Sequence, residues 1–483
     1  MVPRSNFLIA RLTLVASVGG LLFGYDTAVI SGAISSIDLY FIEPRQLTET
    51  AHNTLSGFTV SSALFGCVIG AAIAGGIANA WGRRTALILA ALMFLVSAFG
   101  SAMPELGLGA IGEMGPAALV PFNIYRILGG VGIGLASMVS PLYIAEIAPH
   151  DRRGRLVSFN QMAIVTGIVT VYFVNWAIGQ QGDAAWLHAV GWRLMFASEA
   201  LPAALFLALL LTVPDTPRYL VLKGRDAEAG ALLEALEGKR EGRAALAEIK
   251  ASLVVHTRPL FSFGAGVVVV GVLLSVFQQA VGINAVLYYA PAIFRNMGIA
   301  EQGALWQTVL VGAVNMLATL IAIVTVDRWG RRPLLIAGGL IMAAAMGTLS
   351  ACFYFGVLGL AALLAMLTYI AGFALSWGPV TWVLLSEIFP NSIKGRALSI
   401  AVAAQWLANI TVSWSFKVLD GNSWLTETFH HGFAYALYAA ASVIAALFVA
   451  RFVPETKGRT LEAIQGFWKP RSARRAAAVS ERG

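Results

Sequence analysis

Charge is scarce in this sequence. Of 483 residues only 33 are Lys or Arg and 25 are Asp or Glu, 12% of the chain, about half the share of a soluble globular protein. With 58% hydrophobic residues, this shortage excludes a water-soluble fold, because the surplus apolar surface needs lipid as its solvent. Cysteine is scarcer still. Cys67 and Cys352 stand far apart, each inside an apolar run, which excludes a disulfide-stapled scaffold and leaves both as small buried hydrophobes. Catalytic signatures are missing too: the sequence holds no zinc-protease helix motif, no phosphate loop and no nucleophile paired with a base. No enzyme activity, metal or cofactor is therefore expected. Gly129, Gly130, Gly132 and Gly134 lie inside an apolar run with no strand before them, so they read as a close helix contact rather than a nucleotide loop. His430 and His431 lack metal-ligand spacing and read as solvated loop residues.

What is present is apolar length. A spanning helix needs roughly 20 apolar residues, and twelve runs qualify: about 8–34, 55–80, 86–103, 122–147, 159–180, 193–213, 262–293, 304–326, 333–355, 358–385, 397–419 and 431–453. The first is too long for a signal-peptide core and lacks a cleavage site, so it is expected to stay as the first span. Basic residues mark one set of loops: Arg83 and Arg84; Arg152, Arg153 and Arg155; the segment from Arg218 to Arg258; Arg328, Arg331 and Arg332; Lys394 and Arg396; and the tail from Lys457 to Arg482. The opposite loops hold Arg45, Arg295 and Lys417, with Arg193 at a helix entrance. Positive loops stay cytoplasmic, so both termini are expected inside, and the net charge of +8 needs no nucleic-acid partner. The expected organisation is a first six-helix half over 1–213, a cytoplasmic linker of short amphipathic helices over 214–258, a second half over 259–453 and a polar cytoplasmic tail over 454–483.

The halves repeat. Trp81-Gly82-Arg83-Arg84 recurs within Asp327-Arg328-Trp329-Gly330-Arg331-Arg332; Glu146-Ile147-Ala148-Pro149, followed by Gly154-Arg155, recurs as Glu387-Ile388-Phe389-Pro390, followed by Gly395-Arg396; Pro214-Asp215-Thr216-Pro217 recurs as Pro454-Glu455-Thr456-Lys457. Three motifs in one order at nearly one spacing define two related six-helix halves. Duplicated halves are typical of secondary transporters working by alternating access, where a midplane site opens to one side and then the other. Arg83, Arg84, Glu146, Arg155, Asp327, Arg331, Glu387 and Arg396 all fall at helix ends on the basic side. There they either form reversible ion pairs that hold an inner gate shut or only fix topology.

Asp26 is the costliest residue in the chain, a carboxylate inside a span, which needs a cavity and a partner. Arg126, at matching depth in the fourth span, is the expected one. Separating the pair would let Asp26 take up a proton; the alternative is a permanent structural ion pair. Glu199, just before Pro202 in the sixth span, either helps the proton move or braces its helix. Neutral amides cluster in two spans, Gln278, Gln279 and Asn284 in the seventh and Gln405 and Asn409 in the eleventh, with Trp382 and Trp406 nearby. Amides both donate and accept hydrogen bonds, matching sugar hydroxyls, and indole faces cover a sugar ring. They could instead only join helices. Gln405 and Asn409 share a helix face. Gln279 and Asn284 do not, unless the helix breaks at Gly282; Trp377 and Trp382 pose the same problem across Gly378-Pro379.

On these residues the chain resembles the sugar porter family of the major facilitator superfamily over nearly its full length. The likeness is carried by Gly82-Arg83-Arg84, Tyr143 to Arg155, Pro214 to Leu220, Gln278 to Pro291, Asp327 to Arg332, Trp377 to Arg396 and Pro454 to Gly458, and by the longer runs Phe23 to Gly32 and Ala403 to Asn409. The resemblance implies an all-α membrane protein of twelve spans, with no cofactor, expected as a monomer in a bacterial inner membrane. It implies a proton-coupled monosaccharide symporter, D-xylose being the expected sugar; another hexose or pentose symporter and a passive uniporter are the alternatives. It assigns proton coupling to Asp26. It assigns sugar hydrogen bonds to Gln278, Gln279, Asn284, Trp382 and Gln405, with Phe23, Tyr288 and Trp406 lining the sugar. Two positions depart from the pattern. Asn79-Ala80 stands where many members have Asp-Arg, implying a weaker first gate than at Asp327 and Arg328. Ile168 follows Gly167 where a glutamine is expected, leaving Thr166, Thr170 or water to compensate.

Overall fold

The computed structural model describes residues 3–149, 152–252, 259–390 and 393–457. All regular elements among them are helices, and twelve spans are long and apolar enough to cross a membrane. In order they are Asn6–Gly32, Glu49–Trp81, Arg83–Ala102, Gly115–Ile147, Arg155–Gly179, Ala184–Leu210, Ala265–Asn296, Glu301–Val326, Arg331–Tyr354, Leu360–Leu385, Lys394–Asp420 and Phe433–Phe452; they are called spans one to twelve below.

Their number agrees with the apolar runs, while several ends do not. Span six begins at Ala184 rather than near 193, because the Asp183 side chain accepts the Trp186 N–H at 2.8 Å and starts a lead-in through Leu187–Gly191. A helix end set by a polar cap is invisible to a count of apolar residues. Span two begins at Glu49 rather than near 55, its first turn closed by the His52 N–H on the Thr48 carbonyl at 2.8 Å without a side-chain cap. In the linker three helices form, Pro217–Leu222, Asp226–Glu237 and Lys239–Ser252. Leu220, Val221 and Ala229 make a small core there, packed by Leu232, Leu246 and Ile249. The rest of the linker, 253–258, and the tail from 458 onward lie outside the described residues.

The chain clusters into two compact units. The first comprises Met1–Val255, Leu287–Ala313 and Ser413–Val418, and the second comprises His256–Val286, Val314–Val412 and Leu419–Gly483. In the first unit, spans two and four meet on opposed glycines. A Cβ on Gly66 would lie 1.9 Å from the Ile127 carbonyl oxygen, and one on Gly130 would lie 1.8 Å from that of Ala63. Only backbone fits at such a contact, so the glycine cluster serves helix packing.

At the end of the first unit away from the basic loops, polar contacts hold the outlying segments to spans two, five and six and to the stretch that follows span one. Lys417 donates to Asp38 at 2.9 Å, and Asp38 also accepts Ser56 Oγ at 2.6 Å. Glu301 accepts Ser35 Oγ at 2.7 Å and lies 3.7 Å from His188 Nε2 and 3.8 Å from Arg295. Trp414 Nε1 donates to the Thr54 carbonyl at 2.9 Å, and Tyr172 to that of Leu287 at 2.7 Å. In the loop after span three, Glu105 takes a bidentate grip from Arg193 at 2.7 and 2.9 Å, and Arg193 lies within span six rather than at its entrance.

Candidate functional site

Three arrangements carry the chemistry. The first lies at mid-span in the first unit. Arg126 and Asp26, at most 1% exposed, form an ion pair through Nη1 and Oδ1, and Arg126 Nη2 also donates to the Asp26 backbone carbonyl at 3.1 Å. The guanidinium sits 5.4 Å over the Phe196 ring. Asp26 Oδ2 is buried with no hydrogen-bond partner among the described residues, and so are both carboxyl oxygens of Glu199. Glu199, fully buried, lies within electrostatic reach of Asp26 and Arg126. Only Asp26 of these two buried acids is hydrogen-bonded to the cation. Gly129 makes room for this: a Cβ there would stand 2.3 Å from Ser97 Oγ and 2.7 Å from Asp26 Oδ2.

The second arrangement is the amide cluster of the second unit. Span seven consists of helices Ala265–Ala280 and Ile283–Asn296, separated at Gly282, whose φ is +94°. A side chain there would be strained and would stand 2.4 Å from the Tyr438 ring. The break joins what a straight helix separates: Asn284 Nδ2 donates to Gln279 Oε1 at 2.7 Å. Gln279 Nε2 donates to Gln278 Oε1 at 3.3 Å, and Gln405 Nε2 to the same oxygen at 2.5 Å. Gln278 Nε2 in turn donates to the carbonyls of Trp377 and Gly378, at 3.1 and 3.3 Å. Four of the five residues expected to hydrogen-bond the sugar therefore form one continuous chain. Gln405 Oε1 is buried without a partner among the described residues, and Asn409 is buried on the same span.

The aromatic residues divide differently. Span ten breaks at Ser376, with φ −134° and ψ −88°, not across Gly378-Pro379. Those two lie in the first turn of helix Trp377–Ile388, where the N–H that proline lacks has no helical partner to lose. Trp377 and Trp382 consequently share one helix and face apart. Trp377 is fully buried, with Nε1 donating to the Leu335 carbonyl at 2.9 Å, whereas Trp382 is 37% exposed. Trp406 is 7% exposed in the second unit. In the first unit Phe23 is half-buried and Tyr288 is buried. Ile168 is buried. Thr166 and Thr170 each donate to a carbonyl of their own helix at 2.8 Å, so neither has its hydroxyl proton free to replace a glutamine.

The third arrangement occurs twice, once per unit, at the basic ends of the spans. Arg83 grips Glu146 at 2.9 Å through both Nε and Nη2; Glu146 also accepts Thr216 Oγ1 at 2.6 Å, and Asp215 accepts the Arg83 N–H at 3.0 Å. In the second unit Arg331 grips Glu387 at 3.0 and 3.2 Å, Glu387 accepts Thr456 Oγ1 at 2.6 Å, and Glu455 accepts the N–H groups of Arg331 and Arg332 at 3.1 and 3.0 Å. Burial pushes the Asp215 carboxyl above its ordinary range despite its backbone N–H partners. The longer Glu455 reaches four N–H groups, and these hold it below that range although burial opposes them. Arg84 caps the end of span six through the carbonyls of Leu210 and Leu211, and Arg332 bonds that of Ala450. Arg155 and Arg396 are exposed; the side chain of Asp327 lies outside the described residues. The partners that sequence reasoning missed are Asp215, Thr216, Glu455 and Thr456, although their repeated motif was the signal.

Comparison with known proteins agrees with this architecture. Residues 12–468 match the family described as sugar (and other) transporter. The chain is 54% identical over 472 residues to the D-xylose-proton symporter of Escherichia coli K12, covering 96% of each chain. It is 49% identical over 469 residues to the glucose facilitated diffusion protein of Zymomonas mobilis, covering 96% of this chain and 98% of that one. The solved inward-open structure of the E. coli xylose transporter superposes with a TM-score of 0.87 at 52% identity, covering 95% of this chain and all of that one. With twelve spans in two repeats, a buried acid pair and an amide cluster, the chain belongs to the sugar porters of the major facilitator superfamily.

Proposed function

We propose that the chain is a proton-coupled monosaccharide symporter importing D-xylose by alternating access. The observation that carries this reading is the buried Asp26–Arg126 pair beside the unpartnered Glu199. An intramembrane acid is stable as an anion only while its counterion is in place. Drawing Arg126 away from Asp26 leaves a charge that a proton neutralises, and restoring the contact expels that proton. Transport that separates and rejoins the pair once per cycle therefore moves one H⁺ with the sugar. Gln278, Gln279, Asn284, Trp382 and Gln405 supply hydrogen bonds to the pyranose hydroxyls, with the Gln405 carboxamide oxygen as an open acceptor; Phe23, Tyr288 and Trp406 cover its apolar faces.

The repeated networks around Glu146 and Glu387 serve as the ion pairs of an inner gate, and Arg155 and Arg396 as their outlying cations. The polypeptide divides into two six-helix halves joined by the linker. It sits as a monomer in a bacterial inner membrane with both termini cytoplasmic, as the distribution of Lys and Arg supports.

A passive uniporter is the second reading, favoured by the 49% identity to a facilitated diffusion protein. Purified protein in liposomes, offered labelled pentoses and hexoses, separates the two. A symporter accumulates D-xylose above the external concentration when the outside is acidic, and Asp26→Asn keeps exchange while losing accumulation. Uphill uptake that survives in Asp26→Asn places coupling elsewhere; equilibration alone in the wild type supports the uniporter.

A further inference from the structure

The two broken spans of the second unit brace one another. Gln278, in the last turn before the break in span seven, donates to Trp377 and Gly378, in the first turn after the break in span ten. The return contact comes from Tyr369, on the helix before that break. Its hydroxyl, fully buried, donates to the Val281 carbonyl at 2.8 Å. Val281 is the residue immediately before Gly282. In a continuous helix its carbonyl would accept the N–H of Ala285; the positive φ of Gly282 interrupts that ladder, and a buried carbonyl needs another donor.

The break has two supports, the Tyr369 hydroxyl on the Val281 carbonyl and the Tyr438 ring against Gly282. It sets the angle between the helix carrying Gln279 and the helix carrying Asn284, and hence their 2.7 Å contact. We infer that Tyr369 is a positioning residue for sugar recognition: its bond to Val281 fixes the bend that holds Asn284 against Gln279. It touches no sugar itself. The inference rests on reading the amide chain as the sugar site, and its test keeps the two claims apart.

The experiment measures D-xylose Kd by calorimetry on the full-length protein in detergent, for Tyr369→Phe, Asn284→Ala, Gln279→Ala and the double variant Tyr369→Phe/Asn284→Ala, with thermal melting alongside. Tyr369→Phe removes one oxygen and leaves the ring. Loss of a buried hydrogen bond of this kind corresponds to a Kd raised about five- to tenfold. Because the tyrosine acts through Asn284, Tyr369→Phe is expected to add less than about twofold once Asn284 is already alanine. Tyr369→Met removes the same hydroxyl with a flexible apolar side chain and is expected to show the same non-additivity, so the claim stays testable if the Phe variant does not fold.

If Asn284→Ala weakens binding while Tyr369→Phe leaves Kd unchanged, the positioning role is wrong and the amide site stands. Full multiplication of the two effects, with a lowered melting temperature, also overturns it, because a purely structural tyrosine behaves that way. If Asn284→Ala and Gln279→Ala both leave Kd unchanged, the amide site itself is wrong and the inference falls with it.

Discussion

Arg126 holds Asp26 at two points, through the carboxylate and through the backbone carbonyl of the same residue. The second bond ties the guanidinium to span one whatever the ionisation of the side chain. Protonating Asp26 would weaken the first bond and leave the second, so full separation of the pair in the proposed cycle also needs the two helices to move apart.

Gly129 is one constraint on that pair. A methyl group there would collide with Ser97 Oγ and Asp26 Oδ2. Gly129→Ala is expected to cut proton-driven accumulation of D-xylose by about tenfold or more while the protein still inserts. Overpacking of this kind costs about 1–3 kcal/mol. Accumulation ratios in energised vesicles, compared with membrane protein level, check this.

The repeated networks differ in burial. The Arg83 and Glu146 side chains are 5% and 8% exposed, against 10% and 25% for Arg331 and Glu387. Removing one partner of a buried pair costs about 3–5 kcal/mol, and exposure reduces that. Glu146→Gln is expected to lower the melting temperature more than Glu387→Gln does. Parallel thermal scans at one detergent concentration decide it, and equal shifts would contradict the ranking.

Lys417 and Asp38 join segments distant in sequence at the end of the first unit away from the basic loops. Asp38→Asn leaves the partly buried Lys417 without its anion and is expected to destabilise the protein by about 1–2 kcal/mol. The exchanged pair Asp38→Lys/Lys417→Asp should recover part of the loss. Melting curves of Asp38→Lys, Lys417→Asp and the exchanged double variant measure the coupling.

His431 gives a pH signature outside the spans. Its ring nitrogen meets Asp420 Oδ1 at 2.9 Å, and that hydrogen bond raises its pKa above 6.5 despite burial. A raised folded pKa means that the protonated ring stabilises the fold fully below the unfolded value, and that this contribution fades as pH rises through the folded one. The melting temperature of the wild type should therefore exceed that of His431→Gln by more at pH 5.5 than at pH 9. The reverse order would exclude a charged His431–Asp420 pair.

Much of this architecture could be read from residue order. Twelve apolar runs gave twelve spans, and Gly282 between Gln279 and Asn284 announced the bend that brings those amides together. Span ten was misread because proline signals a helix start as readily as a break; the distortion lies at Ser376, which carries no such mark. His430 and His431 read as solvated residues, yet each ring nitrogen meets an oxygen at 2.9 Å, of Tyr354 and of Asp420. Tyr369 was invisible since its role depends on a carbonyl freed by backbone geometry, which composition and periodicity do not encode. Lys417 and Asp38 lie 379 positions apart, and no local pattern links them.

The most direct test of proton coupling follows external pH in a lightly buffered suspension of proteoliposomes as D-xylose is added. With Asp26 as the coupling acid, the wild type should alkalinise the medium in step with sugar entry, and Asp26→Asn should admit labelled sugar by exchange with no pH change. D-Xylose entering wild-type vesicles with no proton movement would contradict the account.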